Sequence, residues 1–149
     1  MRIKVKTKVS ASLSQVKEGF NQDLFLQLSP PFPKVELQFF EGSSKGDLVS
    51  LELNFGFFKQ TWTSKIMEDG EEDGKWFFVD EGTELPFFLK SWTHRHVVES
   101  ATAGSVIIDD ITYTTGTIFT DLVMYLPMLG QFLYRKPIYK RVFLAKIKH

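Results

Sequence analysis

The chain has 149 residues, no cysteine, and 18 basic against 18 acidic residues. That length fits one domain, residues 1–149, with a sizeable core; balanced charge gives no footing for nucleic acid, and without cysteine there are no disulfides, thiolate nucleophiles or cysteine-held metals. The N-terminus alternates charge instead of forming the apolar core of a signal peptide, which predicts a cytoplasmic, bacterial protein.

Arg2 to Val9 places every charged side chain on one face and the apolar ones on the other. So strict a period of two marks a strand buried on one side of an antiparallel sheet. Ser12 or Ser14 can cap the next segment, where Val16, Phe20, Leu24, Phe25 and Leu28 follow helical spacing. Gly19 and Asn21 divide it into two short helices, and Pro30, Pro31 and Pro33 stop helical structure.

Val35 to Phe40 reads as a strand, followed by a loop at 41–47. Leu48 to Phe57 alternates, with Val49, Leu51, Leu53 and Phe55 on one face. Thr61 to Met67 continues as a strand, and Glu68 to Gly74 reads as a solvated acidic turn without the ligand spacing of a calcium loop. Lys75 to Asp80 is the next strand, and Glu81 to Leu89 a loop with the apolar tip Phe87-Phe88-Leu89. Ser91 to Ser100 and Ser105 to Thr115 form a hairpin.

Thr117 to Leu126 is apolar and suggests a short helix. Pro127 then suits the first turn of a second one, carrying a stripe of Met128, Leu129, Phe132, Leu133, Tyr139, Val142, Phe143 and Ile147, with a kink at Pro137. Asp121, Pro127, Gly130 and Gln131 interrupt the run too often for a bilayer span. Arg135, Lys136, Lys140, Arg141, Lys146 and Lys148 read as the solvated face of that helix, the alternative being contact with an anionic membrane or acidic partner.

A hairpin centred between Thr102 and Ala103 pairs residues whose numbers sum to about 205. Trp92 then faces Tyr113, His94 faces Ile111, and His96 faces Asp109, a carboxylate that would orient and charge an imidazole. Such a pair could bind a ligand oxygen, act as an acid–base, or join a metal site, although a further metal ligand is missing. No nucleophile elbow and no phosphate-binding glycine loop occurs, so no catalytic residue, metal or cofactor is assigned.

The element order, with Pro30-Pro31, Gly46-Asp47-Leu48-Val49, Trp62-Thr63-Ser64, Ser91-Trp92-Thr93-His94-Arg95-His96 and Ile108-Asp109-Asp110-Ile111-Thr112-Tyr113, resembles a bacterial branch of the SRPBCC superfamily. That superfamily includes START domains, polyketide cyclases and the birch-pollen allergen. The resemblance implies the α+β helix-grip fold: a seven-stranded curved antiparallel sheet around a long C-terminal helix, two short helices between strands 1 and 2, and a hydrophobic cavity. The expectation is a binder of a small hydrophobic or amphipathic molecule, touched by Trp62, Phe78, Trp92, Tyr113 and Phe132 as apolar walls and by His94, His96 and Asp109 as polar contacts. Phe87 and Phe88 would form a lip at the cavity mouth. Two alternatives stand beside it: a cyclase- or hydrolase-like enzyme using a cavity histidine, and an interaction module, such as a homodimer, with a collapsed cavity.

Overall fold

In a computed structural model that describes residues 1–144, seven antiparallel strands form one sheet in the order β1-β7-β6-β5-β4-β3-β2. The strands are β1 (Arg2–Val9), β2 (Lys34–Phe40), β3 (Leu48–Asn54), β4 (Lys59–Glu72), β5 (Lys75–Glu84), β6 (Ser91–Ala101) and β7 (Gly104–Thr114). Helices α1 (Leu13–Gly19) and α2 (Gln22–Gln27) link β1 to β2, and α3 (Ile118–Val142) lies against the concave face. This is the helix-grip arrangement.

Local chemistry explains each element. In β1 the alternation is complete, with Ile3, Val5, Thr7 and Val9 buried and their neighbours exposed. Ser12, not Ser14, caps α1 through a capping box with Gln15, and Asn21 caps α2. Register shifts between Leu37 and Phe39, Thr63 and Ser64, and Ile66 and Glu68 mark bulges, which bend strands and help curl the sheet. At the far end of α3, Phe143 packs so closely on Gly19 that a β-carbon there would come within 2.5 Å of its ring.

Several boundaries differ from the sequence expectation. The acidic segment is not a loop: β4 runs to Glu72 and β5 starts at Lys75, leaving Asp73-Gly74 as a two-residue turn with both φ angles positive, 44° and 75°. Strand β3 stops at Asn54, because the Asn54 carboxamide accepts from Gly56 N–H and Phe55 N–H bonds to Phe58 C=O, turning the chain. Strand β5 extends to Glu84 through its pairing with β4.

The largest correction concerns α3. Thr117 caps it through Thr120 N–H, and Asp121 fixes its first turn, so one helix of 25 residues runs through both Pro127 and Pro137. Of the expected stripe, Met128, Phe132, Tyr139 and Phe143 are buried, whereas Leu133 and Val142 are exposed. Ile147, Lys146 and Lys148 lie outside the described residues.

Candidate functional site

Strands β5, β6 and β7 deliver the polar side chains of the site by simple alternation. Trp92, His94 and His96 follow one another along the concave face of β6. The β6–β7 register pairs Trp92 with Tyr113, His94 with Ile111 and His96 with Asp109, as the hairpin sum predicts. On the other side, β5 sets Phe78 beside His96 and Asp80 beside His94.

Both histidines converge on one oxygen. Asp109 Oδ1 lies 2.8 Å from His94 Nε2 and 3.0 Å from His96 Nδ1. The second nitrogen of His94, Nδ1, is 3.4 Å from Asp80 Oδ2, while Asp80 Oδ1 accepts from the Trp92 indole N–H at 3.1 Å. His94 is therefore clamped between two carboxylates. From α3, the Arg135 guanidinium lies over the Phe132 ring at 4.5 Å and reaches within 3.9 Å of Asp109 Oδ1.

Burial and pairing set opposite protonation states for the two rings. Burial opposes a charge on His94, but hydrogen bonds to Asp109 and Asp80 outweigh it and raise the pKa to about 9. His94 is an imidazolium at neutral pH. For His96 burial dominates, Asp109 compensates only partly, and His94 and Arg135 repel a second proton, so its pKa falls and the ring is neutral. Its Nδ1–H donates to Asp109, and the buried Nε2 has no hydrogen-bond partner among the described residues. Burial would raise the Asp109 pKa, yet the two imidazole donors hold the carboxyl well below its usual range. The Tyr139 hydroxyl, whose pKa burial pushes up, approaches Asp109 and Arg135 without closing a well-formed bond to either.

This cluster forms the polar floor of a cavity of about 670 Å³ between the sheet and α3. The remaining wall is mainly apolar, supplied by β3 side chains such as Val49, Leu51 and Leu53, by Leu24 of α2, and by Met128 and Phe132 of α3. A volume of this size suits a drug-sized molecule. The cavity is not collapsed.

Trp62, Phe78, Trp92, His94, His96 and Phe132 all lie on its wall. Asp109 and Tyr113 do not. Asp109 sits behind the two histidines, and the Tyr113 hydroxyl donates to the Asp121 carbonyl at 2.8 Å, which ties β7 to the first turn of α3. Phe88 lines the mouth, half-buried, and Phe87 beside it is exposed.

Sequence reasoning missed three residues. Asp80 shares the concave face of β5 with Trp76 and Phe78, a period already present within the expected strand Lys75 to Asp80. Arg135 was placed on the solvated face, but the inward series Met128, Phe132, Arg135, Tyr139 follows helical spacing, and its side chain is only 21% exposed. Phe20, at the end of α1, packs 4.4 Å from the His96 ring and also meets Trp76, Tyr139 and Phe143; no local pattern announces that long-range contact.

Ligand atoms of His94, His96 and Asp109 lie within 4.8 Å of one another, close enough to consider a metal. The donor chemistry argues otherwise. Both rings spend a proton on the same Asp109 oxygen, and the other nitrogen of His94 faces Asp80. A cation would have to strip the imidazolium of its proton and break both bonds.

No family profile matches the chain, and neither does any curated protein. Solved structures do. Norcoclaurine synthase from Thalictrum flavum, as a point mutant in complex with a transition state analogue, superposes with a TM-score of 0.69 at 16% identity, covering 96% of this chain and 93% of that one. Protein Ms6760 from Mycobacterium smegmatis gives 0.66 at 11% identity, with 95% and 89% covered. The di-domain ARO/CYC StfQ from the steffimycin biosynthetic pathway gives 0.68 at 14% identity; this chain is covered to 95% and spans 50% of StfQ. The likeness extends over nearly the whole chain and establishes the helix-grip fold.

Proposed function

We propose that this helix-grip domain binds a small amphipathic molecule in the cavity between its sheet and α3. The observation that carries the reading is the cavity itself: about 670 Å³, mainly apolar walls, and one floor built of charged groups. An apolar cavity with a few convergent polar groups binds a ligand body by burial and orients it by its polar end. Trp62, Phe78, Trp92 and Phe132 hold the body. Arg135 receives an acceptor oxygen, His94 adds its positive charge to that floor, and Asp109 acts from behind by fixing both imidazoles. Tyr113 acts further back still, by holding α3 in place. Support for an aromatic ligand comes from a second structure of norcoclaurine synthase, in complex with dopamine and hydroxybenzaldehyde, which has the same fold at 16% identity.

The test is a titration with an environment-sensitive aromatic fluorophore, followed by displacement with small aromatic acids and phenols. One-to-one binding is expected, weakened at least about tenfold in Arg135→Leu for acidic competitors and little changed for neutral ones. Equal loss for both, or no saturable binding, would remove the assignment of Arg135 or of the cavity respectively.

One observation favours a second reading, an enzyme that moves a proton. His96 holds its Nδ1–H on Asp109 and keeps a lone pair on Nε2, the arrangement of a general base with an orienting carboxylate. His94, with both nitrogens engaged, is not that base. Phe20 covers the His96 ring, so Phe20 must move before a substrate reaches it. His96→Gln should abolish turnover of a bound substrate while the fluorophore affinity changes by less than about threefold; unchanged turnover would end this reading.

A further inference from the structure

We propose that the mouth end of this domain docks onto an anionic membrane surface, through three loop tips that each carry exposed phenylalanine and a following lysine, together with the outer face of the first turns of α3. The inference concerns the outside of the mouth and stands whether or not the cavity binds as proposed.

The sequence pattern repeats in three unrelated loops: Phe32-Pro33-Lys34, Phe57-Phe58-Lys59 and Phe87-Phe88-Leu89-Lys90. The fold brings them to one end. Lys34, Asn54 and Lys59 are in register across β2, β3 and β4, and β5 ends and β6 begins at the same side. Ring contacts then weld the tips together: Phe32 on Phe55 at 5.9 Å, Phe55 on Phe88 at 6.1 Å, and Phe58 on Phe87 at 5.9 Å. Phe57 is 89% exposed, and Phe32 and Phe87 are 66% exposed.

Beside them, α3 starts with apolar residues on its outer as well as its inner face. Ile118, Phe119, Leu122, Val123 and Leu126 are all exposed, Ile118 and Phe119 by 72%. Positions 118, 122 and 126 form one helical row, and 119 and 123 the next. Inward-facing Met124 and Met128 line the cavity, so this outer face is the back of its wall. Soluble monomers rarely leave so continuous an apolar end uncovered.

Charge selects the occupant. Segments 29–34, 54–59 and 85–90 each contain one lysine and no acidic residue, and segment 115–120 contains no charged residue. Asp121 is turned inward onto Thr115, and among the described residues Glu52 is the one acid paired to a tip lysine, Lys59, at 3.3 Å. Aromatic tips beside flexible cationic side chains match the boundary between acyl chains and anionic headgroups. The basic C-terminal turns of α3 lie about 30 Å or more along the helix from this end, so the tips act independently of them.

The experiment is co-sedimentation of the full chain with phosphatidylcholine vesicles and with mixed phosphatidylcholine–phosphatidylglycerol vesicles, at low and high salt. Phe57 and Phe119 do not line the cavity, nor do Lys34 and Lys90. The expected result is partition onto the mixed vesicles that falls with salt. It should drop about 25-fold in Lys34→Gln/Lys90→Gln, at about fivefold per lysine, and be lost in Phe57→Ser/Phe119→Ser, with fluorophore binding retained in both. Equal partition onto neutral vesicles, partition untouched by these variants, or no partition at all would overturn the proposal. So would a stable dimer in solution that buries Phe57 and Phe119, since a second copy would then be the occupant.

Discussion

At the residue scale, Asp109 Oδ1 receives two imidazole donors, and the remaining nitrogen of each ring decides its charge. Long-range ¹H–¹⁵N spectra should show both His94 nitrogens protonated at pH 8, and His96 protonated on Nδ1 alone. A neutral His94 at that pH would contradict the clamp. The pH dependence of stability follows with opposite signs. His94 has a folded pKa raised from 6.5 to about 9, so its contribution is full below pH 6.5 and is lost as pH rises through 9. That shift corresponds to about 3 kcal/mol. His96 has a lowered pKa, so unfolding takes up a proton below pH 6.5 and stability falls on the acid side. The depressed Asp109 carboxyl adds to the acid loss as pH falls through 3.8 and below. Thermal denaturation across pH 4 to 10 should peak at about 6.5; a melting temperature still rising at pH 9 would refute it. Replacing Asp109 by Asn should lower stability by about 3–5 kcal/mol, because it breaks a buried charge network. The adjacent Asp110, which pairs with Arg2 at the surface, should cost less than about 1 kcal/mol as Asn. Equal costs for the two variants would contradict the burial argument.

At the scale of elements, α3 is held at its first turn. The Asp121 carboxylate accepts from Thr115 N–H at 2.6 Å and from the Thr115 hydroxyl at 2.7 Å, and Tyr113 donates to its carbonyl. Asp121→Ala should cost about 2 kcal/mol and speed amide exchange in the first two turns of α3 more than in its last turns. Uniform exchange along the helix would show that the anchor is not local. The same element shows where sequence reading stops. The β6–β7 register was legible because a small-residue turn and a strict alternation leave one solution. The start of α3 was not, because Pro127 has the same local signature at the first turn as inside a helix that packing sustains. The Asp73-Gly74 turn was legible in principle; five acids around it suggested solvent, but charged residues on a long protruding hairpin do the same. Arg135 was misplaced by treating a basic run as one face, when a single cation in it points to buried carboxylates.

At the scale of the molecule, the succession of strands and the two short helices were readable from punctuation and periodicity, whereas the single long helix, the seven-stranded sheet and the cavity were expectations that the family resemblance implied. Its polar floor was half readable. His94, His96, Asp109 and Asp80 lie on three neighbouring strands, whereas Arg135 and Phe20 enter from the helices through contacts that only the tertiary fold creates. The central claim is that the space between sheet and helix holds a small molecule. Native mass spectrometry tests this most directly, on freshly purified protein, on protein extracted with organic solvent, and on extracted protein mixed with small aromatic acids and phenols. The expected result is a one-to-one adduct, carried from the cell or regained from the mixture, and lost in Leu51→Trp, which fills the wall. Absence of any adduct, or an adduct that Leu51→Trp retains undiminished, would contradict it.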